Sequence, residues 1–373
     1  MAFSGKITIS GQQSNFVSAF SEFIRFICGD TSVAGRDWSF VSTQLDTTSG
    51  NFSSIAYSGT LNVTQNNVWM DLPTAFVTDY TFTRGGNNLV ENTDYNLDWR
   101  LGRIRFLTGS PPYTVNYSYN FKRFRIVVRN TGLSDDENIY AGFLMVSSGF
   151  DRANIITRGF TYFDADGDFF NVTTYGSPRT TNNQYPCFGF WTGAIDMWIF
   201  SNRQRIIVVA RNNTYYTFCY VGNIFRFGLP SEYTKPLWVQ TDLWTTPDLN
   251  TTHSVFFDST NTSRRFLIYP FANTSGYIIG VSGAWTGSFS MVPTQNNTDM
   301  WQTVAYVSGF RRVLLPTYIL SSNMLIGTPD NVYFIPGFAL SAESRFQVGS
   351  DYYIVFPNCF RTGYADFLAI KEE

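Results

Sequence analysis

The densest group of potential metal ligands is a run of alternating carboxylates, Asp164, Asp166 and Asp168. Oxygen ligands at alternate positions are the kind that Ca²⁺ takes from a loop. The calcium loop of a helix–loop–helix site requires Gly at its sixth position and Glu at its twelfth, and Phe169 and Tyr175 stand there instead. A polar turn is therefore the favoured interpretation, and a weak cation site is the alternative.

Residues suited to catalysis are few. His253 is the chain's single histidine, which leaves too few imidazoles for a zinc site of the usual kind. It lies beside Ser254, but no G-x-S-x-G elbow is present. The acidic run Asp135-Asp136-Glu137 could supply a carboxylate pair for glycoside hydrolysis, although adjacent acids at a hairpin tip are more typical of a solvated turn. We therefore expect no enzyme activity, no bound metal and no cofactor.

Composition disfavours several classes of protein. The net charge is −2 and no long basic run occurs, whereas binding to nucleic acid depends on clustered Lys and Arg. The sequence contains no stretch of about 18 apolar residues that would predict a membrane span. Phosphate-binding loops of the known glycine-rich kinds are missing from the sequence. The cysteines, Cys28, Cys187, Cys219 and Cys359, form no C-x-x-C pair, and we expect them to be buried free thiols.

Aromatic residues outnumber charged ones in this chain. Aromatic residues make up 18% of the sequence and charged residues 14%, while a free domain usually covers about a quarter to a third of its surface with charge. The basic residues are mostly arginines, since only Lys6, Lys122, Lys235 and Lys371 are lysines. Aromatic and Arg enrichment with little Lys is typical of buried interface cores. This composition favours a component of an assembly.

The elements that would position these residues are mostly strands. Apolar side chains recur at helical spacing between Ser14 and Ile27, which predicts one helix there. The pattern of residues ~60 to ~120 predicts short strands broken by glycine turns. The segment ends in the alternating strand Tyr113–Phe121. Three more strands are expected between Leu314 and Phe360.

An internal repeat lies in the middle of the chain. Arg125–Leu144 and Arg205–Ile224 align without gaps, and each has Arg, a β-branched run, a polar turn and Tyr-x-Gly. Each predicts a β-hairpin of two buried strands. The sequence thus predicts a mainly β protein, with an antiparallel β-sandwich-like body, an internal hairpin repeat, one N-terminal amphipathic helix and a small inserted β module. We expect residues 1–59 to hold the helix and short strands, 60–121 the module, and 122–373 the main body.

Several of these segments also resemble a family of virion structural proteins from tailed bacteriophages. The residues that carry the resemblance are Arg205–Ala210, Tyr220–Gly222, Gly228–Val239, Asn331–Glu373 and, in the N-terminal half, Glu137–Asp151. The module resembles a small β module of phage tail proteins, marked here by Asp94-Tyr95, Asp98 and Gly102–Phe106. Thr217 and Cys219 depart from the family's pattern, in which small or aliphatic residues are typical.

The resemblance implies a structural role in the tail, baseplate or neck of a phage particle, assembled in the host cytoplasm, with no catalytic residues. Neighbouring tail and neck proteins would be its partners, and copies of the chain would form a closed ring. One alternative is a host-recognition protein that binds surface glycan, since Trp, Tyr, Asn and Thr are abundant. A polysaccharide depolymerase is a third possibility, supported only by the acidic turns.

Partner contacts are expected at the helix and the module, because each resembles an appendage to the repeated β body. The candidate interface residues are Phe16, Phe20, Phe23, Tyr220, Gly222 and Trp238. Tyr-x-Gly indicates a close backbone approach at Gly222. Because the chain has too many tryptophans for one small core, we expect some of them at interfaces. If Trp238 is such an anchor, Trp238→Ala weakens oligomerisation more than folding, and equal loss of both would place Trp238 in a core.

Overall fold

A computed structural model describes most of the chain. The described residues are 3–9, 15–46, 54–132, 138–147, 152–170, 185–191, 193–212, 215–227, 237–241, 243–245, 266–269, 314–316, 319–321, 324–335, 340–357 and 367–372. Within them the chain is mainly β, with several antiparallel sheets and a single short helix near the N-terminus, as the sequence predicts.

The first part of the chain contains the helix α1 (Asn15–Cys28) and the strands β1 (Phe3–Ile9), β2 (Ser39–Leu45), β3 (Ile55–Val63), β4 (Trp69–Asp71), β5 (Val77–Arg84), β6 (Asn87–Asn88), β7 (Tyr95–Asp98), β8 (Arg103–Phe106) and β9 (Tyr113–Phe121). The middle part contains β10 (Phe124–Asn130), β11 (Ile139–Ser147), β12 (Arg152–Phe160), β13 (Tyr185–Trp191), β14 (Ile195–Ser201), β15 (Arg205–Asn212), β16 (Tyr215–Arg226), β17 (Leu237–Thr241) and β18 (Leu243–Thr245). The last part contains β19 (Phe266–Tyr269), β20 (Leu315–Pro316), β21 (Ile319–Ser321), β22 (Met324–Pro329), β23 (Val332–Ile335), β24 (Arg345–Val348), β25 (Asp351–Pro357) and β26 (Phe367–Glu372). The range Leu314–Phe360 thus holds β20 to β25, more than the three strands predicted there.

Three sheets form the body. The central sheet has the order β1-β14-β15-β16-β17-β19, and β22, itself paired with β21, adds to the end of β16. The outer sheet has the order β18-β13-β12-β11-β10-β2 and shares a core with one face of the central sheet. The C-terminal sheet, β20-β23-β26-β25-β24, packs on the other face. The predicted sandwich is therefore confirmed, with a third layer added.

Strand β15 shows why its sequence is a nearly unbroken apolar run. Ile206 and Val208 point into the core shared with the outer sheet, whereas Ile207 and Val209 point into the core shared with the C-terminal sheet. A strand buried on both faces has no solvent side on which polar residues would alternate. The unbroken run is therefore the signature of the middle layer.

The two halves of the sequence repeat are confirmed as hairpins. β10 pairs with β11, and β15 pairs with β16, both antiparallel. The first hairpin belongs to the outer sheet and the second to the central sheet. Ile126 and Ile206 occupy equivalent positions in the repeat, and both point into the core between these sheets. The two copies of the sequence repeat therefore form hairpins in the two facing sheets of one sandwich.

The helix is part of the core and not an appendage. Phe23 lies edge-on to Phe143, with ring centroids 4.9 Å apart, and to Phe188 at 6.3 Å. Nearly every residue of α1 is buried, and only Ser18 and Glu22 are partly exposed among those whose burial is described. The amphipathic interpretation missed this because further apolar residues, such as Val17, lie away from the predicted face and are buried as well.

The inserted module has its own core. One sheet has the order β3-β9-β5-β6 and another the order β4-β8-β7. Between them lie buried side chains that include Phe82, Ile104, Phe106 and Val115. Because Ile55 on β3 pairs with Phe121 on β9, the module's pairing begins at Ile55, inside the segment predicted as 1–59.

Arg25 joins the module to the helix. Its Nε donates to the carbonyl of Leu101 at 2.7 Å, and its Nη2 donates to the carbonyl of Leu72, also at 2.7 Å. Nη1 pairs with the Glu22 carboxylate at 2.7 Å. Gly102 must lack a side chain here, because a Cβ would lie 2.9 Å from Arg25 Nη2 and 1.9 Å from the Thr74 carbonyl oxygen. A buried guanidinium that satisfies backbone carbonyls fixes where the module sits.

A buried polar network joins the central and C-terminal sheets. Arg205 Nε donates to Asp330 Oδ2 at 3.1 Å, and Asn202 Nδ2 donates to the same oxygen at 2.8 Å. The Asp330 backbone N–H donates to the Tyr220 hydroxyl at 3.2 Å. Asp330 follows β22 and precedes β23, where the chain passes from one sheet to the next. Removing one partner of a buried ion pair strongly destabilises the fold. The network therefore holds the chain in place where it passes from β22 to β23.

The expectation that six core residues make partner contacts must be corrected. The residues concerned are Phe16, Phe20, Phe23, Tyr220, Gly222 and Trp238, and all are buried within the chain itself. The three phenylalanines fill the core between the outer and central sheets, and Tyr220 and Trp238 fill the core beneath the C-terminal sheet. Their spacing indicated burial correctly, but burial inside one chain and burial between chains leave the same pattern in a sequence.

Candidate functional site

The carboxylate run forms a turn. The Gly167 N–H donates to the Asp164 carbonyl at 2.9 Å, and Asp168 Oδ1 accepts the Phe170 N–H at 2.8 Å. In the described part of the chain, no group of three or more His, Cys, Asp or Glu is placed to hold a metal ion. Asp164, Asp166 and Asp168 are exposed, while Phe169 and Phe170 next to them are buried on the outer sheet. The loop covers that face, as a polar turn with apolar anchors.

Other predicted residues divide into two groups. Cys28, Cys187 and Cys219 are buried and form no disulfide bond, which confirms the prediction of buried thiols for these three. Burial, followed by the nearby Asp98 carboxylate, raises the pKa of the Cys28 thiol well above its ordinary value. The residues Asp135-Asp136-Glu137, His253 and Cys359 lie outside the described residues. No helix in the described ranges has the length and apolar character to span a membrane.

A cleft of about 530 Å³ lies at one end of the interface between the central and C-terminal sheets. It is lined by Gly5, Lys6, Trp198, Phe200, Arg345, Tyr352, Ile354 and Glu372. Trp198, Phe200 and Ile354 belong to the core between the two sheets, so the cleft is the place where that core opens to solvent. Pockets of a few hundred Å³ that combine apolar walls with a few polar groups are the usual form of a ligand site.

One wall of the cleft belongs to the central sheet. Lys6 on β1 pairs across the strands with Trp198 on β14. The Lys6 ammonium lies 4.7 Å from the centroid of the Trp198 ring and 3.7 Å from Asp196 Oδ2. Trp198 itself is only 4% exposed, because it packs edge-on against Phe356 at 5.1 Å. Trp198 therefore forms the floor, and Lys6 is the group that a ligand would meet.

The other wall belongs to the C-terminal sheet. Tyr352 on β25 pairs with Glu372 on β26 and is 41% exposed. The Arg345 guanidinium lies 4.3 Å from the centroid of the Tyr352 ring, and its Nε donates to the Glu372 carboxylate. An exposed ring thus stands beside a guanidinium and a carboxylate that already hold one another. The ring and the ion pair both favour this orientation of the guanidinium, whose side chain is 59% exposed.

A second ion-pair network stiffens the region behind Lys6. Arg211 pairs with both Asp196 and Glu343. The Tyr216 hydroxyl donates to Glu343 Oε1 at 2.7 Å. Burial and the Glu343 carboxylate raise the pKa of Tyr216 well above its ordinary value, so the hydroxyl stays protonated as a donor. Glu343, which lies just before β24, therefore ties the C-terminal sheet to the central sheet beside the cleft.

The charges around the cleft balance in pairs. Lys6 is matched by Asp196, and Arg345 is matched by Glu372. None of these four residues is among the sequence-predicted site residues. Lys6 and Arg345 lie at opposite ends of the chain, so no local motif could signal that they meet. The only local sign is the doublet Tyr352-Tyr353, of which one ring must face each side of its strand.

Comparisons with known proteins assign the chain to no family. A scan against protein-family models finds no match, and a search of curated proteins finds none either. The resemblance to phage virion proteins therefore rests on the sequence segments quoted for it and remains a prediction.

Proposed function

We propose that the chain is a structural component of a tailed-phage particle, placed in the tail, baseplate or neck, where it assembles with copies of itself and with neighbouring tail proteins. The resemblance of its segments to virion proteins supports this proposal. The layered β body with its attached module also fits it, because layered sheets offer faces and strand ends for packing without any catalytic centre.

The observation that carries the proposal is an exposed aromatic edge on the module. β4 is an edge strand of its sheet, and its first residue Trp69 and the preceding Val68 are each 45% exposed. The Arg105 guanidinium lies 5.0 Å from the centroid of the Trp69 ring. Trp and Arg are the residues that most often anchor protein interfaces. Edge strands are also where one chain most readily meets another. The module therefore remains the expected contact region, with Trp69 in place of the buried aromatics first predicted.

Substitution of this anchor tests the proposal. We expect Trp69→Ala to weaken self-association of the purified chain by at least about tenfold, since a central Trp anchor contributes about 2 kcal/mol or more. Its thermal unfolding midpoint should change little, because surface substitutions usually alter stability by less than about 0.5 kcal/mol. The association constant is measured by sedimentation equilibrium.

Tyr162→Ala is the matched control, because Tyr162 is an aromatic side chain of similar exposure that lies outside the module. Equal loss of association in both variants would show a general effect of removing surface aromatics. A wild-type chain that stays monomeric at every concentration would contradict self-assembly through this edge.

A second candidate function, recognition of a host-surface glycan, is favoured by the cleft beneath Lys6 and Tyr352. An exposed ring flanked by fixed charged groups is suited to a sugar, whose one face is apolar and whose rim carries hydroxyl groups. This function is compatible with a place in the tail.

A further inference from the structure

We propose that the cleft between β1 and the C-terminal sheet binds a neutral saccharide unit, with Tyr352 as its platform and with Arg345, Glu372 and Lys6 as its hydrogen-bonding groups. The inference deepens the glycan-recognition candidate by assigning its site and the charge class of its ligand. It does not depend on the chain's being a virion component.

The volume and the shape suit a sugar. A cavity of about 530 Å³ is within the range of small-molecule sites and exceeds what a few water molecules need. Its floor is apolar, formed by the buried Trp198 with Phe200 and Ile354. Its rim is polar and charged. A hexose presents the matching surfaces, an apolar face of C–H groups and an equator of hydroxyl groups.

Tyr352 is the only aromatic side chain of the lining with a substantially exposed ring. Trp198 and Phe200 are buried at 4% and 3% exposure, while Tyr352 is exposed to 41%. The Arg345 guanidinium lies 4.3 Å from the centroid of the Tyr352 ring and favours this position of the ring. A ring that is already held loses little conformational entropy when a ligand stacks on it.

The charge balance decides between neutral and acidic ligands. Arg345 and Glu372 form one ion pair. Lys6 shares the Asp196 carboxylate with Arg211, which also pairs with Glu343, so that the charges still balance. An acidic sugar or an acidic peptide would have to compete with Glu372 for Arg345 and would meet the Glu372 carboxylate as a like charge. Neutral hydroxyls have no such conflict, because one hydroxyl donates to the carboxylate while its neighbour accepts from the guanidinium.

An extended peptide added beside β1, which pairs only with β14 among the described strands, is the competing occupant. Such a peptide would be bound mainly through backbone hydrogen bonds and would depend little on Tyr352. Apart from the backbone of Gly5 on β1, the groups that line the cleft are side chains from β1, β14, β24, β25 and β26. This favours the saccharide.

The test uses the full chain and calorimetric titration with neutral hexoses and N-acetylhexosamines, free and as short oligosaccharides, and with glucuronic acid as the acidic probe. We expect a neutral saccharide to bind, and Tyr352→Ala to weaken this binding by about tenfold or more. Tyr352→Phe, which keeps the ring, should retain most of it. Trp69→Ala, on the module, which contributes no residue to the lining of the cleft, should leave it unchanged. Each variant is first checked for an unchanged unfolding midpoint.

Glu372→Gln gives a readout that a merely structural role would not move. The substitution releases Arg345 from its carboxylate partner and leaves a net positive rim. We therefore expect neutral binding to fall by about tenfold, as one charged hydrogen bond is lost, while glucuronic acid gains affinity.

Three results would overturn the inference: no neutral probe binds at millimolar concentration, glucuronic acid binds better than every neutral probe to the wild-type chain, or the binding is unaffected by Tyr352→Ala. If an extended peptide is the occupant, its binding will be unaffected by Tyr352→Ala. Because the readout is binding by the isolated chain, these results are independent of whether the chain is found in phage particles.

Discussion

Replacing Gly222 by valine is expected to prevent stable folding of the chain. Gly222 has φ of +144°, a region that residues with a side chain rarely adopt. A Cβ at this position would lie 2.4 Å from Arg205 Cα and 2.3 Å from the Gln204 carbonyl oxygen. These are backbone atoms and cannot rotate away as a flexible side chain could.

The neighbouring network makes relaxation harder. Arg205 is held by Asp330 at 3.1 Å and by the Phe200 carbonyl at 2.8 Å. Backbone strain of about 1–3 kcal/mol and overpacking of about 1–3 kcal/mol then add to a loss of about 2–6 kcal/mol in the free energy of unfolding, which is a large part of what a typical domain has.

The measurement is the urea midpoint of unfolding, or the yield of folded chain if none survives purification. Gly85→Val is the matched control, since Gly85 also has a positive φ of +58° but has nothing within 4 Å of its Cβ position. Gly85→Val should therefore lower the unfolding midpoint only by the contribution of backbone strain. Equal midpoints for the two variants would mean that the close approach at Gly222 has no consequence.

Trp238→Ala is expected to destabilise the chain itself by about 3–5 kcal/mol, the usual cost of removing a large buried aromatic side chain. Trp238 is only 1% exposed. It fills the core between the central and C-terminal sheets, directly across the strands from Gly222. This replaces the expectation that the substitution would weaken oligomerisation more than folding.

A pair of tryptophan variants separates core from surface. Trp238→Ala should lower the unfolding midpoint strongly, while Trp69→Ala should lower self-association and leave the midpoint nearly unchanged. Both quantities are obtained from the same preparations by denaturant titration and by sedimentation. If Trp238→Ala left the unfolding midpoint unchanged and only disrupted an oligomer, that result would contradict the packing of the C-terminal sheet on the central sheet.

The local elements of this fold could be predicted from the sequence. The repeated pattern of Arg, a β-branched run, a turn and Tyr-x-Gly predicted both hairpins, because alternation and turn chemistry act over a few residues. The helix at Asn15–Cys28 was predicted for the same reason. Its complete burial was not, because that depends on Phe143 and Phe188, which come from distant strands.

Apart from the Tyr352-Tyr353 doublet, no feature of the sequence indicated the candidate site. Lys6 and Trp198 meet because β1 joins the edge of the central sheet beside β14. Arg345, Tyr352 and Glu372 meet because β24, β25 and β26 are neighbours in a separate sheet. The cleft then arises from the packing of these two sheets, a contact that no single segment encodes. Sequence reasoning could detect abundant aromatics, but not which of them the packing leaves exposed.

Quantitative mass spectrometry of purified tailed-phage particles tests the central claim most directly. The chain should remain in particles through repeated density-gradient purification, in a constant ratio to the major tail proteins. Its absence from such particles, with the chain still abundant in the lysate from which they came, would contradict a structural role in the virion.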